Sequence, residues 1–283
     1  MDKLWQEEGE EQRQGNQQIT RHKKTLMFLW YMGNQNSFRE VSDKFDVSQS
    51  RAHDIILEIL DKVCGLAKDY IKWPGACDKQ TSSGVFRRLT GLDQVIGAID
   101  GCHIRTLKPN DRHYVSYINR KGYYSILLQG ICDDTGRFID VFAGPPGCVH
   151  DARLLRLSDF YDKHEELMAG HYLLGDSAYI ANEFQDFILV PKRDNGRLTQ
   201  EEARNNTLLS RGRVVIENAF GRLKCRFRRV RDLQNTRLDV SVKIILAACT
   251  LHNFCMGDQV CEDHPNGCPR ELDDNEDEDF QIL

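Results

Sequence analysis

Apolar and polar positions change period several times along the chain. From His22 to about Tyr70 the apolar residues recur at three and four, as on one face of a helix. Within this region Ser37 followed by Glu40 predicts a capping box that opens a short helix ending near Lys44, and "FDVS" (45–48) makes a turn. Ser48 then caps a longer helix with Ala52, Ile55, Ile56, Ile59, Leu60 and Val63 on its buried face. A short helix, a tight turn and a longer helix form the layout of a helix-turn-helix. Gln49, Ser50, Arg51 and His53 would lie at the end that reads base edges. A helical bundle that only packs on a neighbouring domain fits the same pattern. Residues 73–90, with Pro74, Gly75 and "TSSG" (81–84), look like a linker.

Beyond this point short apolar runs replace the helical period. "QVIGAID" (94–100) ends in Asp, and "YYSILLQGICD" (123–133) is joined to "RFIDVFAG" (137–144) by the hairpin turn "DDTG". A helix is expected over 149–164, strands over 171–176 and 187–192, and helices from about 199 to 230 and over 240–254. Strands and helices mixed in this way predict an α/β fold, a mixed sheet with helices packed against it.

Composition refines the picture. Of 283 residues, 40% are hydrophobic and 29% charged, as in a water-soluble globular chain. The start, "MDKLWQEEGEEQRQGNQQ", is polar and has no signal-peptide core, so residues 1–20 are expected to be a disordered leader. The apolar run 244–251 is too short to span a bilayer, and no membrane role is expected. The ten cysteines include no C-x-x-C pair, which favours free thiols. Cys255, Cys261, His264 and Cys268 match no common zinc spacing.

The net charge of −5 conceals a division. Residues 262–283 hold nine acids and one Arg, and 257–283 reads as a disordered acidic tail. The rest carries 37 bases and 34 acids, with the bases concentrated in patches suited to a nucleic-acid partner.

The densest patch, "RGRVVIENAFGRLKCRFRRV" (211–230), holds seven bases and one acid, Glu217. At helical spacing Arg213, Glu217, Gly221, Lys224 and Arg228 share a face, beside an apolar stripe of Ile216, Phe220, Leu223, Phe227 and Val230. Asp100 and Asp176 each close a short apolar run and precede small residues. Carboxylates gathered beyond strand ends suit Mg²⁺ or Mn²⁺, and Glu217 could complete a two-metal site with the bases gripping phosphates. Charge pattern alone leaves a second reading equally open, a solvated helix with i,i+4 Arg–Glu pairs.

Five motifs in register extend the inference. "AIDGCHI" (98–104), "NRKGYYSILLQGICD" (119–133), "GCVHDARLL" (147–155), "LLGDSAY" (173–179) and "VVIENAFGRLKCRF" (214–227) follow the order of the DDE domain in PIF/Harbinger transposases. The chain resembles the Harbinger-transposase-derived nuclease family of animals. That resemblance implies an RNase H-like nuclease domain over 91–256, preceded by the helix-turn-helix-like region 21–72. It also implies Asp100, Asp176 and Glu217 as the catalytic, metal-holding acids of a DNA endonuclease. Arg213, Lys224 and Arg228 are the candidate phosphate contacts, with Gln49 and Arg51 as further DNA contacts. Cys102 stands where the family more often has Thr. His103, His150 and Asp151 read as packing and helix-capping residues, and His252 and Asn253 as structural. A Myb-like DNA-binding partner, location in the nucleus with the cytoplasm as a further possibility, and a homo-oligomer are the associated expectations. The alternative is a domesticated DNA-binding or scaffold protein that no longer cuts.

Overall fold

The sheet is organised around β1 (Val95–Thr106). Side chains of a strand alternate between faces, and past a register shift between Val95 and Gly97 each face of β1 has its own core: Ala98 and Ile104 enter one, Ile99 the other. β2 (Ser125–Cys132), buried at every position, pairs antiparallel with β1 and with β3 (Phe138–Pro146). Gly136, with φ of 85°, closes the expected hairpin, its N–H donating to the Asp133 carbonyl at 3.1 Å. β4 (Tyr172–Leu174) and β5 (Ile188–Leu189) continue the sheet parallel to β1, giving the order β3-β2-β1-β4-β5. β6 (Asp232–Leu233) pairs with the far end of β1. The expected α/β mixed sheet is therefore present. The structure, a computed structural model, describes residues 2–5 and 19–257.

Helices cover both faces. α5 (Ala76–Thr90), α8 (Gln200–Arg226) and α9 (Leu238–Cys255) contribute to the first core, and α6 (Asp151–Arg156) and α7 (Asp159–Met168) close the second. α9 has the length and mean hydropathy, 1.4, of a membrane span, but half of it is buried inside the fold. Its His252 and Asn253 are structural, as expected. His252 Nε2 meets the Gly136 carbonyl at 3.0 Å, and Asn253 holds both backbone groups of Phe138 as well as the Tyr70 carbonyl.

The N-terminal helices are α1 (Arg21–Gly33), α2 (Phe38–Phe45), α3 (Gln49–Gly65) and α4 (Ala67–Tyr70). The Ser37–Glu40 capping box is formed, and Ser48 Oγ accepts from the Arg51 N–H at 3.2 Å. All six apolar residues assigned to α3 are buried, and α3 packs against α1 and α9. These helices thus share the first core with the sheet. Arg229, buried, reinforces the join: its guanidinium donates to the Tyr31 and Asn36 carbonyls and stacks 3.9 Å from the Tyr31 ring centroid.

Several expectations are corrected. The stretch 73–90 is not a linker, because α5 begins at Ala76 and buries Ser82, Phe86 and Thr90. Trp73 stacks on Phe160, and its indole N–H donates to the Leu167 carbonyl at 2.9 Å. Small polar residues resemble a loop in composition, but packing overrides weak propensity. The helix expected over 149–164 is two helices, since the Ser158 hydroxyl accepts from the Tyr161 N–H and caps a new start. In the expected disordered leader, Asp2–Trp5 form a 3₁₀ turn with Trp5 buried beneath Lys62, 3.9 Å from its ring centroid. Residues 6–18, the acidic tail from 258 onward, and Cys261, His264 and Cys268 lie outside the described residues.

Candidate active site

β1 does not stop at Asp100. Asp100 is in mid-strand, just past Ala98, the last β1 residue paired with β4. The chain leaving β4 turns immediately: Asp176 caps the 3₁₀ turn Ser177–Tyr179, its Oδ1 accepting from the Ala178 N–H at 2.9 Å. Asp100 therefore lies where parallel pairing has ended, and Asp176 is the next carboxylate along the opening. The residues after Asp100, "GCHIRT", lose the apolar run but keep strand pairing with β2.

Glu217 enters from α8, whose buried stripe of Ile216, Phe220 and Leu223 is as expected. One turn earlier, Arg213 lies between two acids, with Nη2 3.9 Å from Asp100 Oδ2 and 3.8 Å from Glu217 Oε1. The Arg213 side chain is only 15% exposed, and its Nε is buried without a partner. It is therefore a largely enclosed countercharge to the acids, drawn back from the surface row in which its helical spacing places it. The i,i+4 Arg–Glu pair of the solvated-helix reading does form, but one member is buried against the candidate site.

Burial dominates the electrostatics of Asp100, raising its carboxyl to about 6. The Gly101 N–H, 2.8 Å from Oδ1, and Arg213 oppose that rise, whereas the neighbouring charges of Asp176 and Asp151 add to it.

The sequence pattern places Asp151 at a helix start, as a cap. His150 is instead the N-cap residue of α6, and no side-chain capping bond is made there. The Asp151 carboxylate packs over Gly101. Burial first and the Asp176 charge second raise its pKa, offset by His150 and Arg120. Beside these acids, the Tyr179 hydroxyl is buried with no partner. The sequence signals were the "HD" pair and a glycine directly after Asp100, neither sufficient alone.

The remaining candidates diverge. Lys224 turns back to β1, its Nζ donating to the His103 carbonyl at 3.1 Å. Arg228 is not on the helix face: α8 ends at Arg226, Phe227 breaks it, and Arg228 is exposed in the 3₁₀ turn Arg228–Arg231. Gln49 and Arg51 are exposed on the first turn of α3, outside this cluster. His103 packs against Ser125, its Nδ1 3.0 Å from Oγ.

Among the described residues, no three His, Cys, Asp or Glu side chains are gathered closely enough to form a ready metal-binding group. The chemistry of the donor set nevertheless fits a hard divalent cation. It is all carboxylate oxygen, its members repel one another, and the Arg213 guanidinium offsets the charge of Asp100 and Glu217 only from 3.8–3.9 Å.

A family model described as DDE superfamily endonuclease matches residues 99–253. A rat protein named "Putative nuclease HARBI1" is 30% identical over 86% of this chain and 70% of its own length. The human protein of the same name is 29% identical over 76% of this chain and 62% of its own. The Arabidopsis thaliana "Protein ALP1-like" is 26% identical over 83% of this chain and 61% of its own. No solved structure matches the chain. With more than half of its residues matched to the family model, and most of it aligned to the rat protein, the chain belongs to the DDE superfamily endonucleases, among the Harbinger-derived proteins.

Proposed function

We propose that this chain is a metal-dependent endonuclease that cleaves DNA phosphodiester bonds. The main support is the convergence of acids distant in sequence. Asp100 and Asp176 are electrostatic neighbours, and Asp100 and Glu217 share the Arg213 guanidinium. The strand order, with three antiparallel strands and two parallel ones, supports the RNase H-like assignment.

Asp100, Asp176 and Glu217 would hold Mg²⁺ or Mn²⁺, with Asp100 shared if two ions bind. Such a cation supplies an activated water or 3′-hydroxyl and neutralises charge on the phosphate. The chain's own residues prepare this. β1 holds Asp100 away from bulk water, the Gly101 N–H fixes one of its oxygens, and Arg213 limits repulsion while the acids are charged. Arg228, exposed past the end of α8, is the better placed phosphate contact, and Lys224 has its ammonium on the β1 backbone. Gln49 and Arg51 would contact DNA from α3. A Myb-like partner, a second copy of the chain and work in the nucleus complete the reading.

The test is nicking of supercoiled DNA with Mg²⁺ or Mn²⁺, beside Asp100→Ala and Glu217→Ala. Metal-dependent nicking lost in both variants supports an enzyme. The Arg213 guanidinium between Asp100 and Glu217 favours a second reading, a DNA-binding or scaffold protein that does not cut. Binding without nicking would establish that one instead.

A further inference from the structure

We propose that Asp151 is a fourth carboxylate of the cation site, reaching it over Gly101 from the α6 side of β1, with the Tyr179 hydroxyl as the donor that orients the cluster. This rests on the nuclease reading of the same acids.

The first observation is spatial. A Cβ at Gly101 would lie 2.1 Å from Asp151 Oδ1 and 2.9 Å from its Cγ, distances no side chain tolerates. Glycine after Asp100 thus lets a carboxylate settle on the backbone of the strand that carries the first acid. Because neighbours along a strand face opposite ways, Asp100 points to the α8 side and Gly101 to the α6 side. The acids therefore approach the strand from both faces. Asp151 is the first-turn acid of α6 and its carboxylate meets its own backbone N–H, but no ion pair within 4 Å is formed by it among the described residues, so a buried charge is left there without a close cationic partner.

The second observation is an unsatisfied donor. Tyr179 is 1% exposed and its hydroxyl has no hydrogen-bond partner, yet it feels the charges of Asp151, Asp100 and Asp176. Native interiors rarely leave such a group unpaired. Carboxylates drawn together by a cation would bring an acceptor to it. The third concerns Gln129, which pairs across the sheet with Gly101 and so shares its face. Gln129 is fully buried with both amide atoms unpartnered, another polar group beneath the same spot.

The test is a Mn²⁺ titration of the full chain without DNA, reading free Mn²⁺ by electron paramagnetic resonance, with thermal melts of the metal-free proteins alongside. Asp100→Asn should abolish tight binding. Asp151→Asn should weaken it about 10–100-fold, while its metal-free melting temperature stays at or above that of the unchanged chain. Tyr179→Phe should weaken binding by a smaller factor. Gly101→Ala, which keeps the Asp151 charge but displaces it, should also weaken binding and provides a second reading if Asp151→Asn does not fold. Unchanged affinity in Asp151→Asn and Gly101→Ala, with binding lost in Asp100→Asn, overturns this proposal and leaves the nuclease reading standing. An unaltered chain that takes up no Mn²⁺ overturns both.

Discussion

Asp100→Asn should make this protein more stable while removing its proposed activity, and the gain should depend on pH. Folding keeps the Asp100 carboxyl protonated up to about pH 6, against an ordinary value of 3.8. That difference corresponds to about 3 kcal/mol favouring the neutral form. Its sign follows from proton counting. Between about pH 4 and 6 the folded chain holds a proton that the unfolded chain has lost, so stability falls as pH rises through this window. Above it the penalty of the buried charge is fully present; below pH 4 it vanishes. Asparagine is the permanently neutral counterpart, and its Oδ1 can still accept from the Gly101 N–H. The attraction of Arg213 is already contained in the net value, and with the side chain only 21% exposed little screening discount applies. The variant should thus be roughly 2–3 kcal/mol more stable at pH 7.5, about 3–5 °C in Tm for a chain of this size. At pH 4 the two proteins should melt together. Added Mg²⁺ should narrow the gap by stabilising only the unaltered chain. The assay is thermal melting of both proteins across pH 4–8. A gap absent at pH 7.5, or equally large at pH 4, would refute buried-charge destabilisation at Asp100.

Gly212→Ala should destabilise despite better helix propensity: the new methyl would lie 2.3 Å from Leu174 Cδ1 and 2.7 Å from Thr90 Cγ2, both buried. Overpacking of roughly 1–3 kcal/mol exceeds a propensity gain of about 1 kcal/mol, so the denaturant midpoint should fall. Asn253→Ala strips partners from the Phe138 N–H and carbonyl and from the Tyr70 carbonyl, and urea unfolding should show a loss of about 3 kcal/mol. Arg228→Ala should weaken DNA binding across all sequences and reduce the salt slope by about one, measured by fluorescence anisotropy at several salt concentrations. An unchanged slope would remove Arg228 from the phosphate contacts.

Local pattern determined much of this protein. The α3 face, the Ser37–Glu40 box, the β2–β3 hairpin and the buried stripe of α8 were readable because period and capping are properties of neighbouring residues. Asp100, Asp176 and Glu217 stand out as candidates by their motifs alone. What local pattern could not decide was direction and convergence. Arg213 turns inward and Lys224 folds back on β1 because each finds a partner from a distant strand. Arg228 leaves the helix face because Phe227 is held in the core at a non-helical backbone angle, so the helical row of bases ends early. Composition marked 73–90 as a linker, yet Phe86 and Thr90 find a core there that exists only once the sheet has formed. Asp151 gained its place from Gly101, fifty positions earlier, through strand order and the approach of α6. Sequence spacing reports which side chains share a face; only the tertiary structure determines which faces meet, because that depends on contacts between residues far apart in the chain.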